Sequence, residues 1–202
     1  MMAPMRSAMA PALVIAVALG TIVIDARPAH ADEPASNDDR ALALTLFKRG
    51  RELMDAGEVD AACRSFEESQ RLDPGGGTLL NLAVCHEQQG KTATAWGEYA
   101  EGLAQARRDA RSDRIDLARD RMAALEPKLV RLQINVVGGA ESVVKILRDG
   151  RPMPREAWGV AVPIDPGEHR IEVFLDGVPV HAVTTVVASE PGGTTTATID
   201  LQ

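Results

Sequence analysis

Cys63 and Cys85 are the only cysteines in the chain, and the second is followed by His86 and Glu87. Thiols beside an imidazole and a carboxylate can hold a metal, form an activated thiolate or close a disulfide. Adjacent residues on a helix point in different directions, so Cys85, His86 and Glu87 cannot converge on one ion or one reacting atom. His86 falls instead at an interior position of the helical pattern and reads as a packed histidine. His169 and His181 stand apart, with no thiolate or helical partner at ligand spacing. There is no H-E-x-x-H, no G-x-S-x-G and no phosphate loop. Gly75-Gly76-Gly77 lacks the following Lys-Ser/Thr and reads as a joint between elements. The 29 Asp and Glu residues contain no carboxylate pair singled out by spacing. No catalytic residue, no metal and no cofactor is expected, and the protein is expected not to be an enzyme.

The elements carrying these residues repeat. Gly50, Gly57, Ala62 and Phe66 are answered by Ala83, Gly90, Ala95 and Tyr99, each 33 positions later, with Leu46 and Leu53 in register with Leu79 and His86. A period of this length signals a helical array whose stacked pairs present a face to a partner. Leu42, Leu46, Gly50 and Leu53 form the stripe of a first helix behind an Asn/Asp cap, ended by Ala56-Gly57. Val59, Ala62, Phe66 and Ser69 form a second, stopped by Pro74. A third follows Thr78 as its N-cap, turns Leu79, Leu82, Ala83 and His86 inward, and ends near Gln89-Gly90. A fourth runs from Thr92 to Arg107 through Ala95, Trp96, Tyr99 and Leu103. Residues 111–125 continue helically and offer Ile115, Leu117, Ala118, Met122 and Leu125 as a cap on the stack. Six Arg and four Asp between Arg107 and Arg121 read as a mixed-charge solvated face.

After Pro127 the period changes from 3.6 to 2. Val130, Leu132, Ile134 and Val136 alternate with polar residues. Further strands are expected at Val143–Arg148, around Val160, Val162 and Ile164, around Ile171, Val173 and Leu175, at Val178–Ala188 and at Thr194–Leu201. Asp149-Gly150, Asp165-Pro166-Gly167 and Asp176-Gly177 punctuate them. Six short strands with such turns predict a small antiparallel β sandwich over residues 127–202. Trp158, beside Gly159, reads as a plug at the end of that sandwich, with a sugar-stacking platform as the functional alternative.

Arg6, an apolar run from Ala8 to Ile24 and Ala29-His30-Ala31 make residues 1–31 an expected signal peptide, cleaved after Ala31. The product would be periplasmic or secreted, with no stable membrane anchor after cleavage. Residues 32–38 read as a polar tether. The chain carries a net charge of −7, which argues against nucleic acid as a partner.

The order of small, small, aromatic and proline residues over residues 43–107 resembles the tetratricopeptide (TPR) repeat family. Pro166-Gly167-Glu168-His169-Arg170-Ile171-Glu172-Val173, with Asp149-Gly150 before it, resembles the PEGA family of bacterial envelope β domains. The whole arrangement is similar to exported TPR-plus-β proteins of myxobacteria. It implies an α + β architecture in separate domains, with TPR-like hairpins and a capping helix over residues 39–126 and a PEGA-like domain over 127–202. In that repeat frame Cys63 and Cys85 lie on neighbouring helices, so a disulfide is expected ahead of two buried thiols. In TPR domains that bind peptide C-termini, an Asn on the first helix of the second repeat contacts the carboxylate, and Asn81 takes that place. Phe47 and Arg51 stand where the family has Lys and Asn. The implied groove therefore comprises Phe47, Arg51, Met54, Leu80 and Asn81. The expected function is a non-catalytic envelope scaffold that binds a protein or peptide, with the β domain as a spacer or second contact. The alternative is a reader of envelope carbohydrate or peptidoglycan, with the β domain on the glycan and the repeats as an assembly surface.

Overall fold

The first helix begins at a capping box, not at the Asn/Asp pair. Ser36 Oγ accepts from the Asp39 amide at 3.1 Å, and the Asp39 carboxylate accepts from the Ser36 amide in return. The structure, a computed structural model, describes residues 35–138, 144–187 and 190–201. The expected signal peptide at 1–31, the first residues of the tether and the side chain of His181 lie outside the described residues. Five helices come first: α1 (Asn37–Asp55), α2 (Val59–Leu72), α3 (Gly76–Gln88), α4 (Thr92–Arg108) and α5 (Ser112–Leu125). The third helix starts two residues ahead of the expected Thr78 cap. Gly75 takes the cap position, and its amide donates to Gln70 Oε1 at 3.1 Å.

Helices α1–α2 and α3–α4 pack as successive antiparallel hairpins, with α5 laid against α4. The small residues of the repeat are where the helices come closest. A Cβ on Gly50 would lie 2.6 Å from the ring of Phe66, and one on Gly102 would lie 2.6 Å from Leu80 Cδ2. Ala62, Phe66, Ala83, Ala95 and Tyr99, which carry the period, are all buried. Three expected core positions differ. Leu42 is 49% exposed and Leu117 is 40% exposed. On α1 the inward stripe passes through Ala43 and Gly50, one position round the helix from Leu42. On α5 it passes through Ala118 and Leu125, with Ile115 and Met122 packed beside them. Val160, expected in a strand, lies outside one and is 49% exposed.

Seven strands follow: β1 (Val130–Gly138), β2 (Val144–Arg148), β3 (Arg151–Met153), β4 (Val162–Ile164), β5 (Gly167–Leu175), β6 (Val178–Val187) and β7 (Thr194–Leu201). They form a three-stranded sheet in the order β4-β1-β7 and a four-stranded sheet in the order β3-β2-β5-β6. Leu132, Ile134, Ile146, Ile171, Val173 and Ile199 meet between the sheets and are fully buried. The expectation of a purely antiparallel sandwich is corrected here. β1 and β7 run parallel, in register from Arg131↔Thr194 to Gly138↔Leu201. A parallel pair needs a long crossover, and here the rest of the module lies between the two strands. β3 is the strand the sequence did not announce.

The described helices and strands fall in one compact unit, Ala35–Gln202. Leu125 sits in the core of the helical half and Val130 in that of the β half, and Leu129 between them is also buried. Among the described residues no helix is long and apolar enough to cross a membrane.

Candidate functional site

A groove of about 250 Å³ opens on the side of the array formed by α1, α3 and α5. Arg40, Ala43, Leu44 and Phe47 line it from α1, spaced i, i+3, i+4 and i+7 along one helix face. Ser69, Asp73, Gly75, Gly77 and Thr78 complete the lining, joined by Arg114 from α5. The Arg114 guanidinium passes close to Gly77, where a Cβ would stand 3.0 Å from Nη2. The wall is fixed by Ser69 Oγ, which donates to the Ala43 carbonyl at 2.8 Å. Phe47 packs against Phe66 with centroids 5.8 Å apart and rings tilted by 56°, and it also lines the groove. Leu44 is 54% exposed. The groove thus offers apolar surface between two guanidinium groups, with Asp73 as its one carboxylate.

Of the five residues expected to form a peptide groove, only Phe47 lines this one. Leu80 is corrected from groove to core, since it packs on Gly102 and is 3% exposed. Leu80 is the 33-residue counterpart of Phe47, but it is buried in a cluster with α4 and α5, where Phe47 is only partly buried against α2. Asn81 donates from Nδ2 to the Gly77 carbonyl of its own helix at 2.8 Å. Met54 is half-buried against the Cys63–Phe66 cluster, and Arg51 is exposed. Arg40, Leu44, Thr78 and Arg114 were not foreseen. For Arg40 and Leu44 a signal was available on α1, where they stand seven and three residues before Phe47 on one helix face.

Cys63 and Cys85 form a disulfide that ties α2 to α3, with Cα atoms 5.6 Å apart. The next two residues go elsewhere. His86 Nδ1 meets the Glu98 carboxylate of α4 at 2.8 Å, and Nε2 meets Glu67 of α2 at 3.3 Å. Both partners are acceptors, so an imidazolium satisfies both contacts. Burial is the largest single influence on this ring and favours its neutral form. The Glu98 hydrogen bond and charge, aided by Glu67, outweigh burial and raise the His86 pKa. Glu87 takes a third direction, accepting from Tyr99 Oη at 2.9 Å and facing Arg121 at 3.5 Å. Burial and then Glu87 push the Tyr99 phenol up, keeping it protonated. Three consecutive residues therefore serve three structural links. Among the described residues no cluster of His, Cys, Asp or Glu could hold a metal ion.

The two halves meet at Asp165, in the turn between β4 and β5. Its Oδ1 accepts from the amides of Ala93 at 2.8 Å and Thr94 at 3.0 Å, and Oδ2 accepts from Thr94 Oγ1. These are the second and third amides of α4, whose own cap residue, Lys91, contributes no side-chain bond. An aspartate more than seventy positions downstream thus caps the helix. The turn is held from behind by His169, whose Nε2 meets the Asp165 carbonyl at 2.8 Å while Nδ1 meets Asp149 Oδ2 at 2.8 Å. Burial raises the Asp149 pKa, but the His169 hydrogen bond, the Arg170 amide and the charges of His169 and Arg148 leave it lowered overall.

Trp158 packs against the β core, and the Arg155 guanidinium lies over its ring at 5.2 Å. No protein-family model, no curated protein and no solved structure matches this chain.

Proposed function

We propose that this protein is an exported, non-catalytic scaffold of the bacterial envelope whose helical half binds an extended peptide segment of another protein. On this reading the helical hairpins are TPR-like, the β half is a PEGA-like spacer, and α5 caps the array. The observation that carries the proposal is the α1–α3–α5 groove, where Phe47 and exposed Leu44 lie between Arg40 and Arg114. Apolar surface flanked by guanidinium groups suits an apolar residue with a carboxylate on either side of it. The Cys63–Cys85 disulfide supports an oxidising compartment, in line with the expected signal peptide. The carbohydrate reading leaned on Trp158, which is engaged with the β core and Arg155.

The test is fluorescence anisotropy with peptides carrying Leu or Phe between acidic residues, beside scrambled and Lys-substituted versions. The acidic-apolar peptides should bind, and Leu44→Glu with Arg114→Glu should weaken them by about tenfold or more. Asn81→Ala should leave binding unchanged. Equal binding of the Lys-substituted peptides, or full binding by the Leu44→Glu, Arg114→Glu variant, would count against the groove.

A further inference from the structure

A second cleft, distinct from the peptide groove, lies on the β half where it meets α4. Its central feature is a pair of like charges. Arg148 ends β2 and Arg151 begins β3, and they are direct cross-strand partners. The Asp149-Gly150 turn between them has positive φ at both residues, 51° and 76°, which holds a two-residue hairpin and brings the two arginines face to face. Like charges directly opposite each other destabilise a strand pair. Among the described residues neither guanidinium forms a salt bridge.

The carboxylates beside them are already engaged. Asp149 accepts from His169 Nδ1 and from the Arg170 amide at 2.9 Å. Asp165 caps α4 through Ala93 and Thr94. With both carboxylates already hydrogen-bonded, the two guanidinium groups are the donors that the cleft leaves open. Two cavities share Arg148, Arg151 and Pro163 as a common wall. The polar one, about 400 Å³, continues to Thr94, Asp149, Asp165 and His169. The other, about 250 Å³, is walled by Pro152, Met153, Pro154, Ala157 and Val162.

From this arrangement we infer a binding site for a small amphipathic carboxylate, its head on Arg148 and Arg151 and its apolar body in the lobe between Met153, Pro154 and Val162. A guanidinium pair presents the planar donors a carboxylate accepts, and an occupied head site offsets the repulsion between the two strands. The apolar lobe sets the preference for a short acyl or aryl body over a bare anion. The site is independent of the peptide groove on α1, α3 and α5.

The experiment uses the full chain and octanoate as the probe, with octanol and inorganic phosphate as controls, read by amide chemical shifts and calorimetry. Octanoate should shift the amides of Arg148, Arg151, Met153 and Ala157, and should bind about tenfold more tightly than either control. Arg151→Gln, at an exposed position, and the double variant Arg148→Gln, Arg151→Gln should each lower octanoate affinity. Arg51→Gln on α1 should leave it unchanged. Thermal denaturation of each variant establishes that it is folded, and removing the repulsion between Arg148 and Arg151 should not lower the midpoint. Octanol binding as well as octanoate, phosphate binding as well as octanoate, undiminished binding by the double variant, or no saturable binding up to about 10 mM would each overturn the proposal.

Discussion

Replacing Asp165 with Ala removes a helix cap that belongs to a different part of the chain. The Asp165 carboxylate accepts from two amides and one hydroxyl at the start of α4, and no side chain of the local cap residue takes its place. Loss of an N-cap acceptor costs about 1 kcal/mol, within a range of about 0.5–2. Loss of a negative charge at a helix N-terminus adds about 0.3–1 kcal/mol. The expected destabilisation is about 1–2 kcal/mol, which for a domain of this size lowers the melting midpoint by about 3–6 °C. Asp165→Asn keeps an acceptor and loses the charge, so it should fall between the parent and the Ala variant. Urea denaturation followed by far-UV circular dichroism gives the free energies, and hydrogen exchange at Ala93 and Thr94 reports the cap itself. Those two amides should lose protection while the middle of α4 keeps its own. A change below about 0.3 kcal/mol with undisturbed exchange at Ala93 and Thr94 would show that solvent replaces the carboxylate without loss, and the cap argument would fail.

Two further outcomes follow from links in the helical half. Reducing the Cys63–Cys85 bond, which spans a sequence separation of 22, should lower unfolding free energy by about 3 kcal/mol in the chain-entropy model; denaturation with and without reductant checks this, and coincident curves would refute it. His86 has a raised pKa in the folded chain, so its stabilisation is complete below the ordinary histidine value of about 6.5 and is lost as pH rises through the folded value. Stability measured from about pH 6 to pH 8 should therefore fall, and His86→Gln should flatten that slope; an unchanged slope in the variant would place the titration elsewhere.

The helical half was legible because its small residues have a geometric purpose. Gly50 lies under Phe66, and Ala62, Ala83 and Ala95 are buried where helices approach, so their spacing declared the hairpins and placed the two cysteines on neighbours. What a period cannot declare is which copy sits at an open edge. Phe47 and Leu80 hold equivalent positions, yet Phe47 is only partly buried against α2 while Leu80 is buried in a cluster with α4 and α5, so the groove expected at Leu80 is core. Alternation identified most strands, but a strand's alternation says nothing about the direction of its neighbour, so the parallel β1–β7 pair was invisible. β3 is three residues long with Pro152 at its centre and has no alternation to read. Asp165-Pro166-Gly167 announced a turn correctly, while the use of its aspartate depended on a helix seventy residues earlier and left no local trace. The same holds for Arg114, which enters the groove only because α5 folds back toward Gly77.

The parallel pairing of β1 with β7 imposes an order on assembly. Most contacts in the helical half link elements adjacent in the chain, so that half can form while the remainder is still being synthesised. β1 must wait for a strand that begins at Thr194, and closing so long a loop before the pairing can form slows folding. During that interval β1 has only the three-residue β4 to pair with and keeps its other edge open. The first turn of α4 also lacks its aspartate until the β4–β5 turn is in place. The β half is therefore expected to be the last part of the fold to close.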